Sequence, residues 1–122
     1  MYIRLALILV TLIIGNIGHA NIPNAVLTKS SSACATEANG SALSLTLCFE
    51  NEIELIERYI NYNLSNSPAS KKKEWQQAEK KILAKCNSEN NDLSDPFYHA
   101  GYAGCVRDEY SKFNRKLLNI KE

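Results

Sequence analysis

Four cysteines, at positions 34, 48, 86 and 105, limit what this chain can become more than any other feature. An even set of thiols spread through about a hundred residues fits a small domain stapled by disulfides, each closed loop adding about 2–4 kcal/mol in an oxidising compartment. A domain of that size buries proportionately little of its surface and is often marginal without such staples. Oxidation requires export, and the first twenty residues read as the means. A short start carrying one cation, Arg4, leads into an unbroken apolar run over residues 5–14 and a looser stretch ending Gly18-His19-Ala20. The run is about half of the roughly 20 residues needed to cross a bilayer, and small residues at Gly18 and Ala20 set up a cut before Asn21. The expectation is a signal peptide over residues 1–20, no membrane association after its removal, and a periplasmic or secreted product. A lipid-attachment box at Ser32-Ala33-Cys34 is the competing reading, but Ser31 stands where such a box carries Leu.

Loss of Arg4 leaves thirteen of the fourteen Lys and Arg side chains against thirteen Asp and Glu, so nothing global steers the product to nucleic acid or to a membrane. Past residues 21–40, an irregular leader by its Pro23, Gly40 and serine run, the pattern becomes helical. Leu45, Cys48, Phe49, Ile53, Ile56, Ile60 and Leu64 recur at three and four residues, on one face of a helix capped by Ser41 or Asn39. A second helix opens near Pro68 or Ser70 and buries Trp75, Ala78, Ile82, Leu83 and Cys86. Residues 87–95, rich in Asn, Asp and Ser, read as a loop. Asp95-Pro96 then opens a third helix carrying Tyr98, Tyr102, Cys105, Val106, Tyr110, Phe113, Leu117 and Ile120. Inside it, Gly101 and Gly104 each cost about 1 kcal/mol relative to Ala, which points to close approach of a neighbouring backbone. Strand alternation is absent. The predicted fold is all-α, a small antiparallel three-helix bundle stapled by two disulfides, over residues 41–122 with Cys34 of the leader.

Height along such a bundle suggests which cysteines meet. Cys48 and Cys105 each lie about two turns from the same end, whereas Cys86 sits near the edge. The expected pairs are Cys48 with Cys105 and Cys34 with Cys86.

Residue chemistry offers little for catalysis. His99 is the only histidine left after processing, and its natural partner Cys105 is expected in a disulfide, so the imidazole reads as a surface group near a helix start. No Cys/His pair has zinc-ligand spacing, and neither a metal nor another cofactor is expected. Glu50, Glu52, Glu54 and Glu57 share one short helical stretch instead of facing across a cleft, and read as a solvated acidic face. Lys71, Lys72, Lys73, Lys80, Lys81 and Lys85 form a basic stripe around Trp75, but Glu74 and Glu79 interrupt it and Trp75 falls on the apolar face.

With no catalytic residues to nominate, the cysteine framework is the most specific signal. Cys34-Ala35-Thr36-Glu37, Cys48, the Glu57-Arg58-Tyr59-Ile60-Asn61 stretch, Cys86, Tyr102-Ala103-Gly104-Cys105 and Leu117 fall in a register that resembles the LprI-like lysozyme-inhibitor domain, a small exported helical bacterial family. The chain departs from that pattern with Ala78 where the family has Trp, and with Ile82-Leu83 in place of an Arg-Asp pair. The resemblance implies a non-enzymatic protein that blocks a lysozyme or another peptidoglycan hydrolase by occupying its cleft. An immunity protein against a type VI secretion amidase and a small-ligand carrier are the alternatives. For a cationic lysozyme, Glu89, Asp92 and Asp95 are the candidate partner-binding residues, because they gather in residues 87–95 without any cation. N-terminal sequencing of the exported protein is expected to begin at Asn21; retention of Arg4 in the exported form would overturn the leader assignment.

Overall fold

A computed structural model describes residues 31–119, which form four α-helices and no strand. Residues 1–20, read above as a signal peptide, most of the expected leader and Ile120 lie outside the described residues. The helices are α1 (Ser31–Ala38), α2 (Ala42–Leu64), α3 (Ala69–Glu89) and α4 (Tyr98–Leu117). The bundle therefore has one helix more than periodicity predicts, and the extra one is α1, inside the expected irregular leader. α1 has no amphipathic stripe to betray it: only Cys34 and Ala38 are buried, one turn apart, while its other described side chains face water. A helix this short is unstable alone, so its order comes from being fastened to α2. It stops where Asn39 and Gly40 take φ of 48° and 83°, a left-handed pair that turns the chain into α2. Ser41 then caps α2, its hydroxyl oxygen accepting from the Ser44 N–H at 3.2 Å.

Packing runs in the order α1, α2, α4, α3. α2 and α3 are consecutive in sequence, yet each lies mainly against α4. Ile56, Ile60 and Leu64 of α2, Trp75, Ile82 and Cys86 of α3, and Val106 and Tyr110 of α4 form the main core. Trp75 meets the Tyr110 ring edge-on with centroids 5.0 Å apart and lies 4.9 Å from Phe113, so it occupies the apolar side as its spacing predicts. A smaller cluster of Cys34, Cys48, Phe49 and Ala103 lies under α1. Gly104 and Gly101 are places of close approach, but to side chains instead of backbone. A Cβ at Gly104 would stand 3.1 Å from the Phe49 ring, and one at Gly101 would collide with Asn90 Oδ1.

The disulfides are Cys34–Cys48 and Cys86–Cys105, which corrects the expected pairing. Height was a fair guide and azimuth decides. Gly104, against Phe49, shows where α4 faces α2, and Cys105 is rotated about 100° from it, on the stripe with Glu109 that reaches α3. Cys48 is likewise rotated away from Phe49, toward α1. With Cys34 oxidised, no thiol remains there for lipid attachment.

The acidic stretch of α2 is also less uniform than its composition suggests. Glu50 and Glu54 are exposed and Glu57 half-buried, but Glu52 is only 4 % exposed, so the solvated-face reading fails for it. Its position explains this: Glu52 is one turn from both Cys48 and Ile56, on the inward face. Arg107, Ser111 and Asn114 of α4 are the other buried polar residues, and the Arg107 guanidinium lies 5.6 Å from the Phe49 ring centre. On the outer side of α4, Lys85 and Lys112 each donate to Glu109 Oε1 at 3.1 Å, and these bonds hold its carboxyl below the usual range.

Peptide mapping without reduction is expected to return Cys34–Cys48 and Cys86–Cys105. The sequence separations are 14 and 19 residues, so replacing Cys86 and Cys105 together with Ser should cost about 3 kcal/mol in denaturant unfolding. A cross-linked peptide joining Cys48 to Cys105 would refute this topology.

Candidate binding surface

The end of the bundle where α3 hands over to α4 gathers the candidate residues. α3 runs through Glu89, longer than the polar composition of residues 87–95 suggests, so Glu89 belongs to the last helical turn and not to the loop. The Cys86–Cys105 bridge pins this turn to α4, and Glu89 Oε2 lies 3.7 Å from the Cys105 sulfur. Asn90 closes the helix, its side-chain amide donating to the Cys86 carbonyl at 3.0 Å while its oxygen rests on Gly101. Gly101 is thus required by the side chain that terminates the preceding helix.

The loop beyond is held by its own aspartates. Asp92 Oδ1 accepts from both the backbone N–H and the hydroxyl of Ser94, at 3.0 and 2.6 Å. Asp95 Oδ1 accepts from the Phe97 N–H at 2.8 Å, and its carbonyl accepts from the Tyr98 N–H at 3.1 Å. These are side-chain-closed turns of the kind Asp favours. They also correct the start of the last helix: Asp95 shapes its entry, but the helix begins at Tyr98, two residues beyond Pro96.

The structure brings Glu89, Asp92 and Asp95 to this one end, all exposed, and adds two residues that composition passed over. Leu93 is 77 % exposed and Phe97 40 % exposed. Fully covering Leu93 with a partner would contribute about 1.5–3 kcal/mol, and covering Phe97, already more than half buried, less. The available signal was an isolated Leu and Phe within a run of Asn, Asp and Ser, residues with no core to enter.

Among the described residues, no three or more His, Cys, Asp or Glu side chains are gathered to hold a metal, and all four cysteines are oxidised. His99 is exposed at the start of α4, its ring 3.8 Å from that of Tyr98. The basic stripe is partly spent on ion pairs, Lys71 with Glu74 at 3.2 Å and Lys85 with Glu109 at 3.1 Å, while Trp75 is buried beneath it. No helix among the described residues is long and apolar enough to cross a membrane. No protein-family model, curated protein or solved structure matches this chain.

The hydroxyl and amide of Ser94 hold the Asp92 carboxyl below the usual aspartate range. A folded-state value below the unfolded one means that the turn is favoured above the ordinary Asp range and loses that contribution as pH falls through the depressed value. Carbon-detected NMR titration should therefore find Asp92 titrating at lower pH than a free Asp, and Ser94→Ala should move it back up. An Asp92 titration unaffected by Ser94→Ala would contradict the turn.

Proposed function

We propose that this chain is a non-enzymatic binding protein that inhibits a lysozyme-type cell-wall hydrolase, acting in the periplasm or outside the cell. The observation that carries this reading is exposed Leu93, set between two turn-forming aspartates at the end of a helix pair braced by a disulfide. A rigid loop with an apolar tip and an anionic rim suits insertion into a concave site on a cationic enzyme. Glu89, Asp92 and Asp95 would steer the encounter, and Leu93 with Phe97 would be covered on docking. Because the turns are already closed by Asp92 and Asp95, little conformational freedom remains to be lost on binding. The resemblance of the cysteine register and of Tyr102-Ala103-Gly104-Cys105 to the LprI-like domain supplies the class of target.

The test is the clearing of a peptidoglycan suspension by a cationic lysozyme, with and without the purified protein. Inhibition is expected. Glu89→Gln with Asp92→Asn keeps side chains that can still accept hydrogen bonds while removing both charges, and should slow association several-fold at low salt, roughly as expected for loss of steering. Leu93→Ser should leave association nearly unchanged and weaken inhibition by about tenfold through faster dissociation. Absence of inhibition would refute the reading. Inhibition of a peptidoglycan amidase and not of lysozyme would transfer the protein to the immunity class.

A further inference from the structure

A second surface lies on the flank of the bundle, away from the loop. Since α2 and α3 both lie on α4 and pack little on each other, a groove runs between them, floored by α4. Its wider part encloses about 330 Å³, with Ile53 of α2 and Leu83 of α3 as walls and Ala103, Val106 and Tyr110 as floor. That volume lies at the lower end of the roughly 300–1,000 Å³ of small-molecule sites.

Thr46 and His99 also line this apolar groove, and the carboxylates at it come from both walls. Glu50 lines it from α2. From α3, Glu79 accepts the Tyr110 hydroxyl at 3.3 Å. Burial first, then the Glu79 and Glu57 carboxylates, push the Tyr110 hydroxyl well above its ordinary range, so it stays protonated and remains a donor to Glu79. Among the described residues none of the side chains lining this part of the groove is Lys or Arg. Tyr102 and Tyr110 supply aromatic rings, whose faces attract cations.

We propose that this groove binds a small organic cation with an apolar arm, an ammonium or quaternary ammonium amphiphile. The arm lies along Ile53, Leu83 and Val106, and the cationic head sits beside Glu50 and the Tyr102 ring. Apolar contact supplies the affinity, and the carboxylates select the sign of the head group, since an anionic amphiphile of the same shape would meet like charge. This site goes beyond the hydrolase-binding reading and stands whether or not that reading does.

Octyltrimethylammonium and octanoate, titrated separately below micelle formation into the signal-free protein, are the matched probes. Trp75 reports binding, as it is the only tryptophan of the chain and its ring centre is 5.0 Å from that of Tyr110. The cation should bind at least about tenfold more tightly than octanoate. Glu50→Gln, at an exposed position, should keep the helical circular dichroism and weaken the cation severalfold while leaving octanoate unchanged or improved. Ile53→Lys, which places a fixed ammonium in the groove, should abolish cation binding. Equal binding of the two probes, or cation binding indifferent to both Glu50→Gln and Ile53→Lys, would overturn the proposal.

Discussion

No disulfide joins the two halves of this protein, which only the backbone of residues 65–68 connects, so the contact between α2 and α4 holds the assembly together. One disulfide fastens α1 to α2 and the other fastens α3 to α4, leaving the union of the pairs to side-chain packing. At its centre the Phe49 ring lies where Gly104 offers no side chain, and the Arg107 guanidinium stacks toward the same ring. Ile56 and Ile60 meet Val106 and Tyr110 farther along. Glu52, Arg107, Ser111 and Asn114 are buried on the same two helices. Polar groups in such a place are costly unless satisfied, so they narrow the set of registers in which the helices can meet. Of the two candidate surfaces, the groove depends on this joint. The loop is presented by the α3–α4 pair, and the groove exists because α2 and α3 share α4 as their support.

Much of the architecture could be read from residue order. Apolar spacing located α2, α3 and α4, Ser41 was recognisable as a cap, and Trp75 fell on the inward face. What failed did so for physical reasons. α1 has only Cys34 and Ala38 inside, too little for a periodic signal, because tertiary fastening and not its own sequence keeps it helical. The cysteine pairing went wrong because position along an axis says nothing of rotation around it, and one residue of rotation separates Cys105 from the side facing α2. Glu52 shares its residue type with exposed acidic neighbours, but its spacing from Cys48 and Ile56 puts it on the inward face.

The candidate loop was half legible. Its acids stand out by composition, but their turn-forming bonds and the exposed Leu93 appear only when the chain is folded. Asp92 and Asp95 do two kinds of work without conflict. A carboxylate oxygen that closes a turn by accepting an N–H keeps its negative charge, and that charge still acts on anything approaching. The two ends of α3 also differ in charge, with Lys71, Lys72 and Lys73 near its start, partly offset by Glu74, and Glu89 at its last residue. A chain close to electrical neutrality as a whole thus presents ends of opposite character.

The order of the disulfides along the chain bears on biogenesis. First joins second and third joins fourth, so the two loops are neither nested nor interleaved. A polypeptide emerging N-terminus first into an oxidising compartment exposes Cys34 and Cys48 together before Cys86 has appeared. An oxidant that links thiols as they arrive makes the correct bond each time, and no wrong bridge has to be exchanged later. Each pair also spans a short stretch of chain, so closure demands little entropy and does not wait for the helical halves to dock. The bonding pattern thus divides oxidation of this chain into two local closures, each within one helical half, with docking of the halves as a separate event.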